Sequence, residues 1–105
     1  GILHPVPFDF DFSGLVNAPY ARPRQDLGLG SVRERAFVGT CRAGADVPAA
    51  LARFRGARRR LLATVDRVPG LDPDERADAR AYLESFYELL EDPGAVRREI
   101  VEACR

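Results

Sequence analysis

The stretch Asp72-Pro73-Asp74-Glu75-Arg76-Ala77-Asp78-Ala79-Arg80-Ala81-Tyr82-Leu83-Glu84-Ser85-Phe86-Tyr87-Glu88-Leu89-Leu90-Glu91 decides the fold class. Asp72 has the side chain of a helix N-cap, Pro73 suits a first helical position that needs no N–H, and Glu75 stands where a capping box places its acid. Ala79, Tyr82, Leu83, Phe86, Leu89 and Leu90 then recur at helical spacing, which predicts one apolar face on a helix ending near Glu91. Asp92-Pro93 repeats the cap and predicts a last helix through Val96, Ile100 and Cys104. Upstream, a longer helix is predicted from near Asp46 to about Val68, with Pro48 in its first turn and Pro69-Gly70 as its stop. Its apolar positions are Val47, Leu51, Phe54, Leu61, Val65 and Val68, and Arg58 takes the seam position where the next apolar residue belongs. Short turns between these helices imply roughly antiparallel packing. Ser31-Val32-Arg33-Glu34 has capping-box spacing and Gly39 lies where a helix of two turns would stop, so a fourth, short helix is expected there.

Residues 1–30 read differently. Half of the prolines and half of the phenylalanines lie here, and no helical period runs through the segment. Leu3 to Phe12 is expected to be an extended strand: Pro5 and Pro7 disfavour helix, and Phe8, Phe10 and Phe12 alternate with Asp9 and Asp11. Ser13 to Gly30 has the breakers of an ordered loop, in Gly14, Asn17, Pro19, Pro23, Gly28 and Gly30. A connection that long in a small domain signals function or packing against a partner. The expected fold is therefore mainly α, formally α+β, with an extended N-terminal strand and long loop packed on three to four helices. Residues 1–30 would be the strand and loop and residues 31–105 the helical part, together one domain or the C-terminal piece of a larger one.

Composition narrows the function classes. Sixteen basic and 16 acidic side chains leave a formal net charge of +0, which argues against a general nucleic-acid or membrane-surface protein. Apolar residues make up 46% of the chain, enough to support a core and to exclude a disordered tail. No apolar run approaches the roughly 20 residues that span a bilayer, so a soluble piece is expected, either cytoplasmic or exported. Every basic residue is arginine, a bias we read as genomic rather than mechanistic. The absence of methionine suggests that Gly1 is a cleavage scar or an internal residue and that the chain is a fragment. Cys41 and Cys104 lack metal-ligand spacing, which leaves a disulfide or two reduced buried thiols.

Among candidate chemical features, Asp9 and Asp11 stand first. Two residues apart on a strand they share one side, and two carboxylates suit Mg²⁺, which takes one or two of them together with water and phosphate oxygens. The competing explanation is an acidic edge strand that discourages aggregation. Arg53, Arg55, Arg58, Arg59 and Arg60 could hold phosphate, but Glu75, Asp78, Glu84, Glu88 and Glu91 on the next helix favour a salt-bridged helix face. Gly28-Leu29-Gly30 could cradle an anion or simply form a turn. His4 has no nucleophile motif beside it and is given no catalytic role, while Tyr20, Tyr82 and Tyr87 suit the edge of a core.

Val6-Pro7-Phe8-Asp9-Phe10-Asp11-Phe12-Ser13-Gly14-Leu15-Val16-Asn17-Ala18-Pro19-Tyr20-Ala21 and Ser31-Val32-Arg33-Glu34-Arg35-Ala36-Phe37-Val38-Gly39-Thr40-Cys41-Arg42 resemble a family of uncharacterised bacterial proteins. Members of that family are longer, with an Asn-x-Asp and a His-Asn element preceding this segment. That order is similar to atypical protein-kinase-like folds of the spore-coat and HipA type. The resemblance implies a C-terminal, metal-holding portion of a phosphotransferase, inactive alone. Asp9 or Asp11 would be the magnesium ligand serving ATP, and Asn17 and Tyr20 would lie on a substrate-facing loop. The three later helices would form the end of the C-lobe. Asp11-Phe12-Ser13-Gly14 departs from the Asp-Phe-Gly of ordinary kinases, and the Gly-rich loop, strand lysine and catalytic Asp and Asn are absent. The partner implied is the upstream part of the same protein or a partner chain, with no nucleic acid and no membrane. A non-enzymatic helical module whose aromatic arm docks on a partner or a second copy is the alternative.

Overall fold

A computed structural model describes residues 1–41 and 46–104, which divide into two compact units, Gly1–Arg35 and Ala36–Arg105. The second is a helical hairpin with a C-terminal extension: α1 (Val47–Asp66), α2 (Pro73–Glu91) and α3 (Pro93–Val96), the last continuing into a π-helical turn over Arg97–Val101. In that turn the Glu102 N–H donates to the carbonyl of Arg97 five residues back at 2.8 Å.

Each helix starts where its cap residue dictates. The Asp46 carboxylate accepts from the Ala49 N–H at 2.9 Å, Asp72 from Asp74 N–H at 2.9 Å, and Asp92 from Gly94 and Ala95 N–H at 2.9 and 3.2 Å. Proline stands in the first turn of all three, where the missing N–H costs nothing. α1 stops at Asp66, two residues short of the expected end, because the chain turns through Val68 and Gly70, the latter at φ +73°. The final helix is also shorter than expected, since it widens after Val96 and leaves Cys104 beyond its end.

Leu51, Tyr87, Leu90 and Ile100 form the core of this unit, with Val47, Phe86, Leu89 and Val96 packed around them. Early α1 meets late α2 and late α1 meets early α2, so the pair is antiparallel. The Arg55 guanidinium donates to the carbonyl of Leu90 at 2.9 Å, and Arg76 donates to the carbonyls of Val65 and Val68 at 2.6 and 2.9 Å. Both arginines thus satisfy carbonyls that the end of a helix leaves without an intrahelical partner. From the middle of α2, Arg80 pairs with Asp66 at the end of α1 at 2.7 Å and with Glu84 on its own helix at 3.5 Å. Cys41 and Cys104 are disulfide-bonded with Cα atoms 5.2 Å apart, tying the segment before α1 to the C-terminal turn.

The first unit corrects the expectation of a strand. Among the described residues none is in a strand, and the chain from Leu3 to Phe12 is irregular, so the described fold is mainly α. An extended segment needs a neighbour for its backbone groups, Pro5 and Pro7 have no N–H to offer one, and Asp9 at φ +63° breaks the alternation midway. Turns take over instead. Ser13 N–H bonds the Phe10 carbonyl at 2.9 Å, Asn17 N–H the Ser13 carbonyl at 3.0 Å, and Ala21 N–H the Ala18 carbonyl at 2.9 Å. A single 3₁₀ turn over Gln25–Leu27 ends at Gly28, whose φ of +64° suits glycine.

The helix expected after Ser31 does not form. Ser31 Oγ accepts from the Arg33 N–H at 3.2 Å and the Glu34 carboxylate from the Gly30 N–H at 2.9 Å, so the cap residues make one turn that is not extended. Two turns ending in Val38 and Gly39 return too few hydrogen bonds to offset helix nucleation.

Candidate functional site

The acidic pair lies on a turn, and the turn explains its chemistry. With Asp9 in the left-handed region and Phe10 to Ser13 closed by a hydrogen bond, the two carboxyl groups come within hydrogen-bonding reach of each other. The hydrogen bond to Asp11, and then its negative charge, hold the Asp9 carboxyl above its usual range. The same hydrogen bond from Asp9 holds Asp11 below it, assisted by Tyr20, whose hydroxyl donates to Asp11 Oδ2 at 3.3 Å. The neighbouring Asp11 carboxylate in turn raises the Tyr20 hydroxyl. The Phe12 and Tyr20 rings meet at a tilt, with centroids 5.9 Å apart.

Of the residues expected in the substrate-facing loop, Tyr20 therefore joins the acidic pair. Asn17 serves the turn itself: it is exposed, adopts φ +51° and bonds Ser13 through its backbone. Asp9 and Asp11 are two oxygen-bearing side chains, and no group of three or more His, Cys, Asp or Glu converges among the described residues.

The glycine cradle has an occupant of its own. The Gly30 N–H that would bind an external anion donates to Glu34, so the chain's own carboxylate fills that position. The basic run on α1 is partly structural as well. Arg55 bonds the Leu90 carbonyl, and Arg58 pairs with Glu91 at 3.2 Å while its guanidinium lies 5.3 Å from the centre of the Tyr87 ring. Arg53, Arg59 and Arg60 are exposed.

The feature that dominates the surface is apolar. Ile2, Leu3, Val6, Phe8, Phe10, Phe12, Val16 and Tyr20 are all more than half exposed, with Leu3 at 96%, and Ala21 is the buried apolar residue of this unit. A second apolar set lies on α1 and its C-terminal turn, where Phe54, Leu61 and Val68 are 48%, 36% and 42% exposed. Sequence periodicity placed these three in the buried seam. Tyr87 takes that place instead, at 2% exposure, with its hydroxyl donating to the Phe54 carbonyl at 2.7 Å. The signal available in the sequence was the pairing of Arg58 on one seam with an aromatic residue on the other.

Among the described residues no helix is long and apolar enough to cross a membrane. No family model, curated protein or solved structure matches the chain.

Proposed function

We propose that the chain is a non-enzymatic interaction module whose apolar N-terminal arm docks on a protein surface. One observation carries this reading: eight large apolar side chains between Ile2 and Tyr20 are more than half exposed on a unit with almost no interior. Contiguous apolar exposure of that kind marks a surface used for association. The helical unit has its own core and its own disulfide, and it supplies the folded base that such an arm requires. Backbone amide exchange tests the reading. The amides of residues 2–12 should exchange freely in the dilute monomer and become protected when the arm is bound; protection in the monomer itself counts against it.

A second reading keeps the chain as the metal-holding portion of a kinase-like phosphotransferase, inactive alone. It is favoured by the contact between Asp9 and Asp11, because a pair of exposed carboxylates suits Mg²⁺, whose remaining positions are filled by water and nucleotide phosphate. Asp9 and Asp11 would hold the ion, and Tyr20 would orient Asp11 through its hydrogen bond. Calorimetric titration of the chain with Mg²⁺, alone and with ATP, tests this. Heat of binding lost in both Asp9→Ala and Asp11→Ala supports it, and no binding to the parent chain sinks it.

A further inference from the structure

Phe54 and Leu61 are seven residues apart and so share one flank of α1, and Val68 follows at the same spacing in the turn just past its end. The flank has a fixed floor, because the Phe54 ring meets Phe86 edge to face at 5.6 Å. Its charge is one-sided. α1 has five arginines against the single Asp66, and Arg53, Arg59 and Arg60 remain exposed after Arg55 and Arg58 have engaged α2. Two copies of this flank would bring like charges together, which disfavours direct pairing of α1 with α1. An occupant that fits must be apolar, acidic and extended.

One segment of the chain has that chemistry. Residues 2–21 contain the exposed aromatic and aliphatic side chains, the two acids Asp9 and Asp11, and no arginine. The reach matches too. Val6 to Phe12 spans about 20 Å when extended, at roughly 3.3 Å per residue, and Phe54 to the end of α1 at Asp66 spans about 18 Å at roughly 1.5 Å per residue, with Val68 just beyond. Extending the arm takes Asp9 out of its positive-φ conformation, which an L residue holds at a cost. We propose that residues 6–12 of one copy dock on the Phe54, Leu61 and Val68 flank of α1 in a second copy, and that reciprocal exchange of arms closes the assembly as a two-fold dimer. The proposal rests on the interaction-module reading and names the partner within it.

Sedimentation velocity on the full chain over a range of concentrations is the test, with amide exchange of residues 2–12 read in parallel. The expected result is a monomer–dimer equilibrium in which arm protection follows the dimer. Leu61→Glu on the flank and the double variant Phe8→Ser, Phe10→Ser on the arm should each weaken dimerisation by at least about tenfold. Val68→Glu provides a second flank variant should Leu61→Glu fail to fold. Mixing a flank variant with the arm variant is decisive, because each supplies the half that the other lacks. A mixed dimer held by one intact contact should then appear where neither variant dimerises alone. A monomer with exchanging arm amides at every concentration overturns the second copy as partner and leaves the interaction-module reading standing. A monomer with protected arm amides overturns both. A dimer indifferent to Leu61→Glu and Val68→Glu overturns the assignment of the flank.

Discussion

Arg58 shows how much one side chain decides in this chain. A charge at a seam position would normally break an apolar face, yet here its guanidinium lies over the Tyr87 ring and reaches Glu91 at the rim. The aromatic face, the ion pair and the aliphatic stem together let an arginine occupy a place built for a leucine. Tyr87 is the other half of the arrangement, buried through its ring and satisfied through its hydroxyl. Tyr87→Phe keeps the ring but removes the donor to the Phe54 carbonyl, and should lower stability by about 1 kcal/mol in denaturant unfolding. At the acidic turn the prediction concerns pH. Asp9 is held above its ordinary range, so its contribution favours the turn when protonated and is lost as pH rises through its raised pKa. Asp11 is held below its ordinary range, so its contribution is present when ionised and is lost as pH falls through its lowered pKa. The turn is therefore best formed between those two titrations. Carboxyl NMR should show Asp9 titrating above Asp11, and in Asp11→Ala Asp9 should fall back towards the usual aspartate value.

At the scale of elements, the caps did most to make the fold readable. Asp46, Asp72 and Asp92 each precede a first-turn proline, and each accepts from backbone N–H groups two or three residues on. Asp46→Ala and Asp72→Ala should each destabilise the helical unit by about 1 kcal/mol, measured by thermal unfolding. Arg76→Ala should also be destabilising, because it leaves the carbonyls of Val65 and Val68 at the end of α1 without the donor that they now share. The same local signals misled at Ser31. Its capping-box residues do make hydrogen bonds, but to Arg33 and Gly30, and a cap alone does not extend a helix across a segment too short to propagate one. Alternation misled at Leu3 to Phe12 for a related reason. Period-two patterning specifies which side chains share a face only once a neighbouring strand exists, and none of the described residues supplies one.

For the molecule as a whole, the Cys41–Cys104 bridge spans a sequence separation of 63 and encloses α1, α2 and α3. A loop of that length restricts the unfolded chain enough to contribute about 4 kcal/mol in the chain-entropy model, a large share for a unit with so small a core. Addition of a dithiol reductant should lower the unfolding temperature of the helical unit measurably by circular dichroism, and Cys104→Ser should match the reduced protein. The sequence by itself determined where α1 and α2 lie and that they pair antiparallel, because caps, prolines and a 3.6-residue apolar period are all encoded within a few turns of chain. It also determined that the arm would be aromatic and acidic. Only the tertiary structure decided that Arg58 would stack on Tyr87, that Phe54, Leu61 and Val68 would remain exposed, and that Asp9 and Asp11 would meet on a turn. The physical reason is common to all three. Periodicity says which side chains lie on a face, but burial and pairing depend on what stands opposite that face, and those partners are 30 residues away on α2 or across a turn whose left-handed residue no pattern announces.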